Sequence, residues 1–380
     1  MEGSREIHYM KTALALALKA QGRTSPNPLV GAVIVQGDTI LGTGYHQKAG
    51  TPHAEVHALR QAGEAAHGAD LYVTLEPCSH YGRTPPCTEA IIQAGLKRVY
   101  VAMRDPNPLV SGGGIARLRE SGLEVQEGIL LEEARQINEV FVKYIQTKLP
   151  FIALKTATSL DGKIAAESGE SRWITEEEAR LHGHRLRNIY DAILVGIGTV
   201  KADNPSLTCR LPNGEGRDPV RIIVDSRLNI GEEARVLNLQ SPAPTLIATT
   251  SQAPPEKVRR LERMATVLVV NDGPQVHLPA LLQILGKMEI SSVLVEGGGR
   301  INGSFLREKL ADKYYCYLAP KIIGGTKAPG SFAGEGISSL TESARLTKVS
   351  IERLGTDLLV TGYPAAAAAE NPAYIKGKGG

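Results

Sequence analysis

The 380-residue sequence predicts an α/β protein built as two domains. Two observations carry the fold class and a third the division. Short β-rich apolar runs alternate with helical patterns throughout the chain, and the length exceeds what one ordinary hydrophobic core holds. In addition, Pro150 stops a helical pattern just before a new extended run.

A helix is expected over residues 5–21, followed by the proline-rich turn Ser25-Pro26-Asn27-Pro28 and a buried strand from Val30 to Val35. The runs Leu71 to Leu75 and Val99 to Ala102 read as further strands. Between them a helix from about Cys87 to Ala94 is closed by Gly95. One long helix is expected over about 130–146, with the extended run Phe151 to Ala157 beyond Pro150. Strands are then expected at Ala192 to Val195, Val220 to Val224, Thr245 to Ala248, Val267 to Val270 and Val293 to Val295, and near 314–319 and 346–362. The expected division is 1–149, 150–364 and a flexible or appended tail over 365–380 of composition AAAAAENPAYIKGKGG. No internal repeat relates the halves.

Hydrophobic residues make up 42% and charged residues 22%, the balance of a soluble globular chain. The net charge of +3, from 43 basic and 40 acidic residues, is too small to mark a nucleic-acid surface. The first residues lack a basic-then-apolar leader, and no apolar run reaches the length of a bilayer span. A cytoplasmic protein with neither membrane nor nucleic-acid partner is expected.

Four cysteines occur, and only Cys78 and Cys87 lie close in sequence. In a reducing compartment such a pair points to metal binding or catalysis rather than to a disulfide. Cys209 and Cys316 read as small buried apolar residues. With His53 the pair makes three protein ligands, the number a catalytic zinc takes, because its fourth position must remain open for water. Glu55, two residues after His53, would move protons. Residues i and i+2 of a regular helix do not face each other, so His53 must stand at the helix entry after Pro52. Cys87, after Pro85-Pro86, would lie at a helix N-terminus that favours its thiolate.

His57 or His80 as a fourth ligand would close a structural site, although helical direction and the deaminase pattern favour His57 as an ordinary helix histidine. A zincin is excluded, since that motif needs the glutamate directly after the first histidine. The pattern H-x-E followed by P-C-x-x-C marks zinc deaminases. Here the first half is intact, but eight residues rather than two separate the cysteines.

The segments Pro26-Asn27-Pro28-Leu29-Val30-Gly31-Ala32, His53-Ala54-Glu55-Val56 and Glu76-Pro77-Cys78-Ser79-His80-Tyr81-Gly82-Arg83-Thr84-Pro85-Pro86-Cys87 together closely resemble the bifunctional deaminase–reductase family of riboflavin biosynthesis. The resemblance covers nearly all of residues 5–363. It implies a cytidine-deaminase-like three-layer α/β/α domain that uses Zn2+ to deaminate a diaminopyrimidinone ribosylamine phosphate. Asn27, His46, His80, Arg83 and Asn107 would line the substrate pocket.

In the second half, Gly196-Ile197-Gly198 after a strand is a weak dinucleotide fingerprint, because Lys201 replaces the third glycine. Glu296-Gly297-Gly298-Gly299 also follows a strand, and its amides could cradle a phosphate. The order of Lys155 to Lys163, Ser168 to Thr175, Gly198 to Pro205 and Glu296 to Gly298 resembles the reductase half of the same family. That half is similar in fold to dihydrofolate reductase and not to Rossmann domains.

The resemblance implies NADPH contacts from Thr158, Trp173, Thr199, Asp203, Ser226 and the run Gly298, Gly299, Arg300, Ile301, Asn302, Gly303, Ser304. It implies substrate contacts from Ser171, Arg187, Leu207, Arg210 and Glu296, with Lys155 near the reacting ribose, and a homo-oligomer. Arg187 and Arg210 would serve as cationic forks for the phosphorylated sugar and Asp203 as an acceptor for ribose hydroxyls. Ser226-Arg227 would meet the cofactor's 2′-phosphate. Two plainer readings stand beside these: Trp173 as a buried packing residue, and Thr175 with Glu178 as a capping box. A transfer-RNA or nucleoside deaminase and a binding protein with structural zinc are the competing functions.

Overall fold

The computed structural model describes residues 2–81, 85–108, 110–212 and 214–365. Arg83 and the tail from 366 onward lie outside these residues. The chain divides into two compact units, Met1–Thr147 and Lys148–Gly380.

The first unit contains α1 (Glu2–Leu18), β1 (Gly31–Gln36), β2 (Thr39–Tyr45), α2 (Ala54–Ala62), β3 (Asp70–Leu75), α3 (Cys87–Gln93), β4 (Arg98–Met103), α4 (Gly113–Glu120), β5 (Glu124–Glu127), α5 (Leu131–Ile137) and α6 (Glu139–Thr147). Its five-stranded sheet has the order β2-β1-β3-β4-β5. β1 pairs antiparallel with β2 and β3, whereas β3, β4 and β5 run parallel.

Met10, Ala13, Leu14 and Ala17 recur at helical spacing and bury one stripe of α1. Paired residues of a sheet share a face, so the register of β1 on β2 places Gly31 on one side and Gly42 and Gly44 on the other. A Cβ at Gly31 would strike α1, and one at Gly44 would lie 2.1 Å from the Ala54 carbonyl of α2. Helices therefore cover both faces, and the missing side chain at Gly44 brings the entry of α2 down onto the sheet.

The single helix expected over 130–146 is two helices. Asn138 leaves helical geometry because its side chain accepts from Leu29 N at 2.8 Å and donates to Leu29 O at 3.0 Å. Tertiary pairing of this buried amide overrides the local periodicity.

The second unit contains β6 (Phe151–Ser159), α7 (Glu177–Ile189), β7 (Ala192–Gly196), α8 (Ile197–Asp203), β8 (Val220–Val224), β9 (Thr245–Thr250), α9 (Pro255–Leu261), β10 (Thr266–Asn271), α10 (Leu278–Lys287), β11 (Ser292–Val295), α11 (Gly299–Arg307), β12 (Lys313–Ala319), β13 (Leu346–Leu354) and β14 (Asp357–Pro364). Nine strands form one sheet in the order β10-β9-β8-β7-β11-β6-β12-β14-β13. The first seven in that order run parallel, and the hairpin β13-β14 closes the edge antiparallel to β12.

The strands read as continuous apolar runs because both faces are covered. Leu154, Leu194, Ile222 and Leu246 meet α10 and α11 on one side, while Ile193, Val195, Ile223 and Ile247 meet α8 and α9 on the other. In α10, Leu278, Leu281, Leu282 and Leu285 form the inward stripe. Each contributes about 2 kcal/mol by burial. β7 and β11 are neighbours at the centre, and their carboxyl ends feed directly into α8 and α11. Ligands of open α/β sheets bind at this place in the topology. No helix among the described residues is long and apolar enough to cross a membrane.

Candidate active sites

His53 is the extended residue capping α2, at φ −73° and ψ 165°. Cys87 is the first residue of α3, and Cys78 follows the end of β3. These elements bring one imidazole and two thiols together, with His53 Nδ1 at 3.2 Å from Cys87 Sγ and 3.6 Å from Cys78 Sγ. All three ligand atoms lie within 4.8 Å of one another. The Cys87 backbone N–H donates to Cys78 Sγ at 3.3 Å, so the start of α3 stabilises the neighbouring sulfur. The Cys78 thiol is pulled down to about 4 by the Cys87 thiol that donates to it and by His53, and the same sharing raises Cys87.

One nitrogen and two thiolate sulfurs suit a tetrahedral zinc with one position left for water. Among the described residues neither His57 nor His80 joins the cluster, which therefore holds three protein ligands rather than four. Glu55 is buried, and its Oε2 has no hydrogen-bond partner. Burial pushes its carboxyl up while His53 pulls it down. A buried carboxylate oxygen without a partner, two residues from a ligand, is the expected state of a proton carrier awaiting substrate and water.

Buried His46 stands edge-on to His53, with ring centroids 5.6 Å apart. Its Nε2 lies 3.3 Å from Asn27 Nδ2, and its Nδ1 lies 3.3 Å from the Pro52 carbonyl. Donation from Nδ1 to that carbonyl leaves Nε2 to accept from Asn27, and burial lowers the His46 pKa, which favours this neutral form. Asn27 and His46 thus form one unit beside the ligands. His80 is exposed, and Asn107 lies in the β4–α4 loop, where its backbone N–H donates to Asp105 Oδ1 at 2.8 Å. Glu76 escaped sequence reasoning although it stands in the quoted run before Cys78. Its carboxylate gathers that same loop.

The second unit holds a cavity of about 1230 Å³ at the carboxyl ends of its central strands. Its wall includes Lys155, Ser171, Trp173, Arg187, Thr199, Asp203, Leu207, Arg210, Ser226, Glu296, Gly298, Gly299, Arg300, Ile301, Asn302 and Ser304. Thr158 and Gly303 are not part of that wall. Thr158 is buried within β6. Gly303 packs α11 against the chain, since a Cβ there would lie 1.9 Å from the Ala333 carbonyl.

Arg187 is not an unengaged fork for phosphate. Its Nε and Nη2 each donate to Glu296 at 2.8 Å, and Nη1 donates to the Thr208 carbonyl at 3.1 Å. Burial pushes Glu296 up, but Arg187 and Lys155 outweigh it and hold the carboxyl at about 2. Lys155 Nζ lies 3.7 Å from Glu296 and 5.3 Å from the centre of the Tyr317 ring. Arg210 also lines the wall, and its Nη1 donates to Thr208 Oγ1 at 3.0 Å. Its backbone N–H donates to His184 Nδ1 at 3.2 Å, and burial with the nearby Arg187 and Arg210 charges lowers His184 to about 4. His184 is a wall residue that sequence reasoning missed, because nothing local distinguishes it on α7.

Asp203 accepts from Ser171 at 3.1 Å, and Gly298 N donates to Thr199 Oγ1 at 3.2 Å, tying the starts of α8 and α11 together. Ser226 Oγ accepts from Val276 N at 3.0 Å. Trp173 is 64% exposed with the Arg180 guanidinium 4.5 Å above its ring, which overturns the buried packing reading. The capping box is also absent: α7 is capped at Glu176, whose N–H donates instead to Asp357 Oδ2. The buried Asn302 Oδ1 and Asp225 Oδ1 have no hydrogen-bond partner. A cavity of this size, lined by apolar and polar groups together and with glycine turns opening two helices, fits a nucleotide cofactor.

Residues 150–360 match the family described as "RibD C-terminal domain", and residues 4–103 match the "Cytidine and deoxycytidylate deaminase zinc-binding region". The chain is 48% identical over 359 residues to the riboflavin biosynthesis protein RibD of Bacillus amyloliquefaciens, covering 94% of this chain and 96% of that one. The chain belongs to the RibD family. It is also 49% identical over 358 residues to RibD of Aquifex aeolicus, with 94% and 98% covered. Among solved structures, Acinetobacter baumannii RibD superposes with a TM-score of 0.86 at 38% identity, covering 95% of this chain and 99% of that one. A Thermotoga maritima protein described as a "diaminohydroxyphosphoribosylaminopyrimidine deaminase/ 5-amino-6-(5-phosphoribosylamino)uracil reductase" superposes with a TM-score of 0.85 at 40% identity, covering 96% and 100%.

The cytidine-deaminase-like and dihydrofolate-reductase-like domains expected from the sequence are those of RibD. As a RibD protein the chain is a bifunctional enzyme of riboflavin biosynthesis, a zinc-binding hydrolytic deaminase joined to a reductase.

Proposed function

We propose that the substrate is 2,5-diamino-6-ribosylamino-4(3H)-pyrimidinone 5′-phosphate, deaminated within residues 1–149 and reduced within 150–364. The observation that carries this reading is the three-ligand cluster beside the buried, unpartnered Glu55 oxygen.

His53, Cys78 and Cys87 would hold the zinc, whose Lewis acidity makes water a nucleophile at neutral pH. Glu55 takes a proton from the attacking water as its oxygen bonds to the amine-bearing ring carbon. It then passes a proton to the amine, so that the C–N bond breaks and ammonia leaves. Asn27 and His46 orient the pyrimidine. Asn107, His80 and Arg83 complete the pocket, Arg83 lying outside the described residues.

In the second unit NADPH would supply a hydride for C1′ of the opened ribosylamine. Thr199, Asp203, Ser226, Trp173 and the start of α11 hold the cofactor. Arg210 binds the substrate phosphate, Ser171 and Leu207 shape its place, and Glu296, fixed by Arg187, orients Lys155 toward the reacting ribose. A cytoplasmic homo-oligomer is the form we propose for the working enzyme.

Incubation with that phosphate, with and without NADPH, tests the reading by product mass. Without NADPH the product exchanges NH for O, and with NADPH it gains two hydrogens in addition. Unchanged substrate would refute the deaminase, and a deaminated product unaffected by NADPH would refute the reductase.

A further inference from the structure

Glu76 is buried where β3 ends, two residues before Cys78, and its carboxylate joins segments far apart in sequence. Oε2 accepts from the backbone N–H of Asp105 and of Gly112, both at 3.0 Å. Oε1 accepts from Gly114 at 2.9 Å and Ile115 at 3.2 Å, in the first turn of α4. One side chain therefore closes both ends of the loop that carries Asp105 and Asn107, and satisfies N–H groups that the start of a helix leaves without internal partners.

The fit is close on the other side as well. A Cβ at Gly114 would lie 2.0 Å from the Pro77 carbonyl, and one at Gly113 would lie 3.2 Å from Ser79 Oγ. The start of α4 thus presses directly against the segment Glu76 to Ser79 that delivers Cys78. Within the loop, Asp105 Oδ1 accepts from Asn107 N, and the Asp105 carboxyl stands within the electrostatic reach of Cys78 and His80. The loop is thereby tied to the segment that delivers Cys78, and Glu76 is the group that sets its position there.

We propose that Glu76 is a positioning residue of the deaminase: it fixes the Asp105 to Asn107 segment as a wall of the substrate pocket without touching substrate or metal. This rests on the reading of Asn107 as a pocket residue. Four charge-assisted bonds to backbone hold the wall in one place, so substrate meets a preformed surface rather than ordering a mobile one. Glutamine is the informative replacement, since it keeps the shape but turns two acceptor positions into N–H donors that face N–H groups.

The test uses the full-length zinc-loaded protein and measures deaminase kcat and KM, bound zinc and reductase turnover on the same preparation. Glu76→Gln is expected to raise the deaminase KM by about tenfold, with a smaller fall in kcat. Zinc content and reductase turnover are expected to stay at wild-type levels, as no ligand and no residue of the second unit is altered. Glu76→Asp keeps the charge but shortens the reach, and is expected to give an intermediate KM. An unchanged KM in Glu76→Gln, or loss of zinc from it, would overturn the proposal. Should Glu76→Gln fail to fold, an unchanged KM in Glu76→Asp overturns it equally. Asn107→Ala distinguishes the role of the pocket wall from that of Glu76. If it leaves KM unchanged, the pocket reading falls and the proposal with it; if it raises KM and Glu76→Gln does not, the proposal alone is overturned.

Discussion

Arg187 grips Glu296 through two parallel 2.8 Å bonds on the wall of the reductase cavity. A lysine cannot reproduce the planar fork. Arg187→Lys is therefore expected to lower the reductase kcat/KM by roughly tenfold or more while leaving deaminase turnover intact. Arg187→Met abandons a buried carboxylate and is expected to destabilise the reductase unit by about 3 kcal/mol in urea denaturation. Equal reductase kcat/KM in wild type and Arg187→Lys would show that the fork does not organise this site.

The same pair sets a pH dependence. Glu296 is held at about 2 in the folded protein, below the ordinary carboxylate range. A depressed carboxyl contributes stability that is present above its unfolded value and lost as pH falls toward the folded one. The urea midpoint of the wild-type reductase unit is expected to drop between about pH 5 and about pH 3 more steeply than that of Glu296→Gln. Parallel curves would contradict this.

Cys87→Ser removes one of the three groups proposed to hold zinc and the thiol shared with Cys78. Loss of bound zinc and of deamination is expected, with NADPH-dependent turnover of independently supplied deaminated intermediate preserved. Metal analysis and the two assays on one sample check it.

Gly303 packs α11 against Ala333 and lies off the cavity wall. Gly303→Ala drives a Cβ against the Ala333 carbonyl and is expected to cost about 1–3 kcal/mol of stability. The KM for NADPH, measured where the variant remains folded, should stay unchanged.

The zinc trio was legible because ligand chemistry and spacing are local: two cysteines, one histidine and a glutamate announce themselves in short segments. The parallel strands were legible as apolar runs, since burial on both faces leaves little else for them to be. β2 is not legible in the sequence, because Gly42 and Gly44, which let α2 approach, dilute its strand pattern. The break at Asn138 depends on Leu29, more than a hundred residues away, and no local window contains that information. The sequence marks Arg187 as a cation, yet its partner Glu296 lies on another element, so its engagement is visible only in three dimensions. Glu76 was hidden for the same reason, since all four of its partners come from the β4–α4 loop and the first turn of α4.

The most direct test of the central claim is Glu55→Gln in the zinc-loaded full-length protein, with ammonia release and metal content measured together. Zinc is expected to stay bound at wild-type stoichiometry, since Glu55 stands outside the ligand cluster, while ammonia release falls by about a hundredfold or more, the typical contribution of a positioned acid–base group. Retained ammonia release, or release lost only because zinc is lost as well, would contradict it.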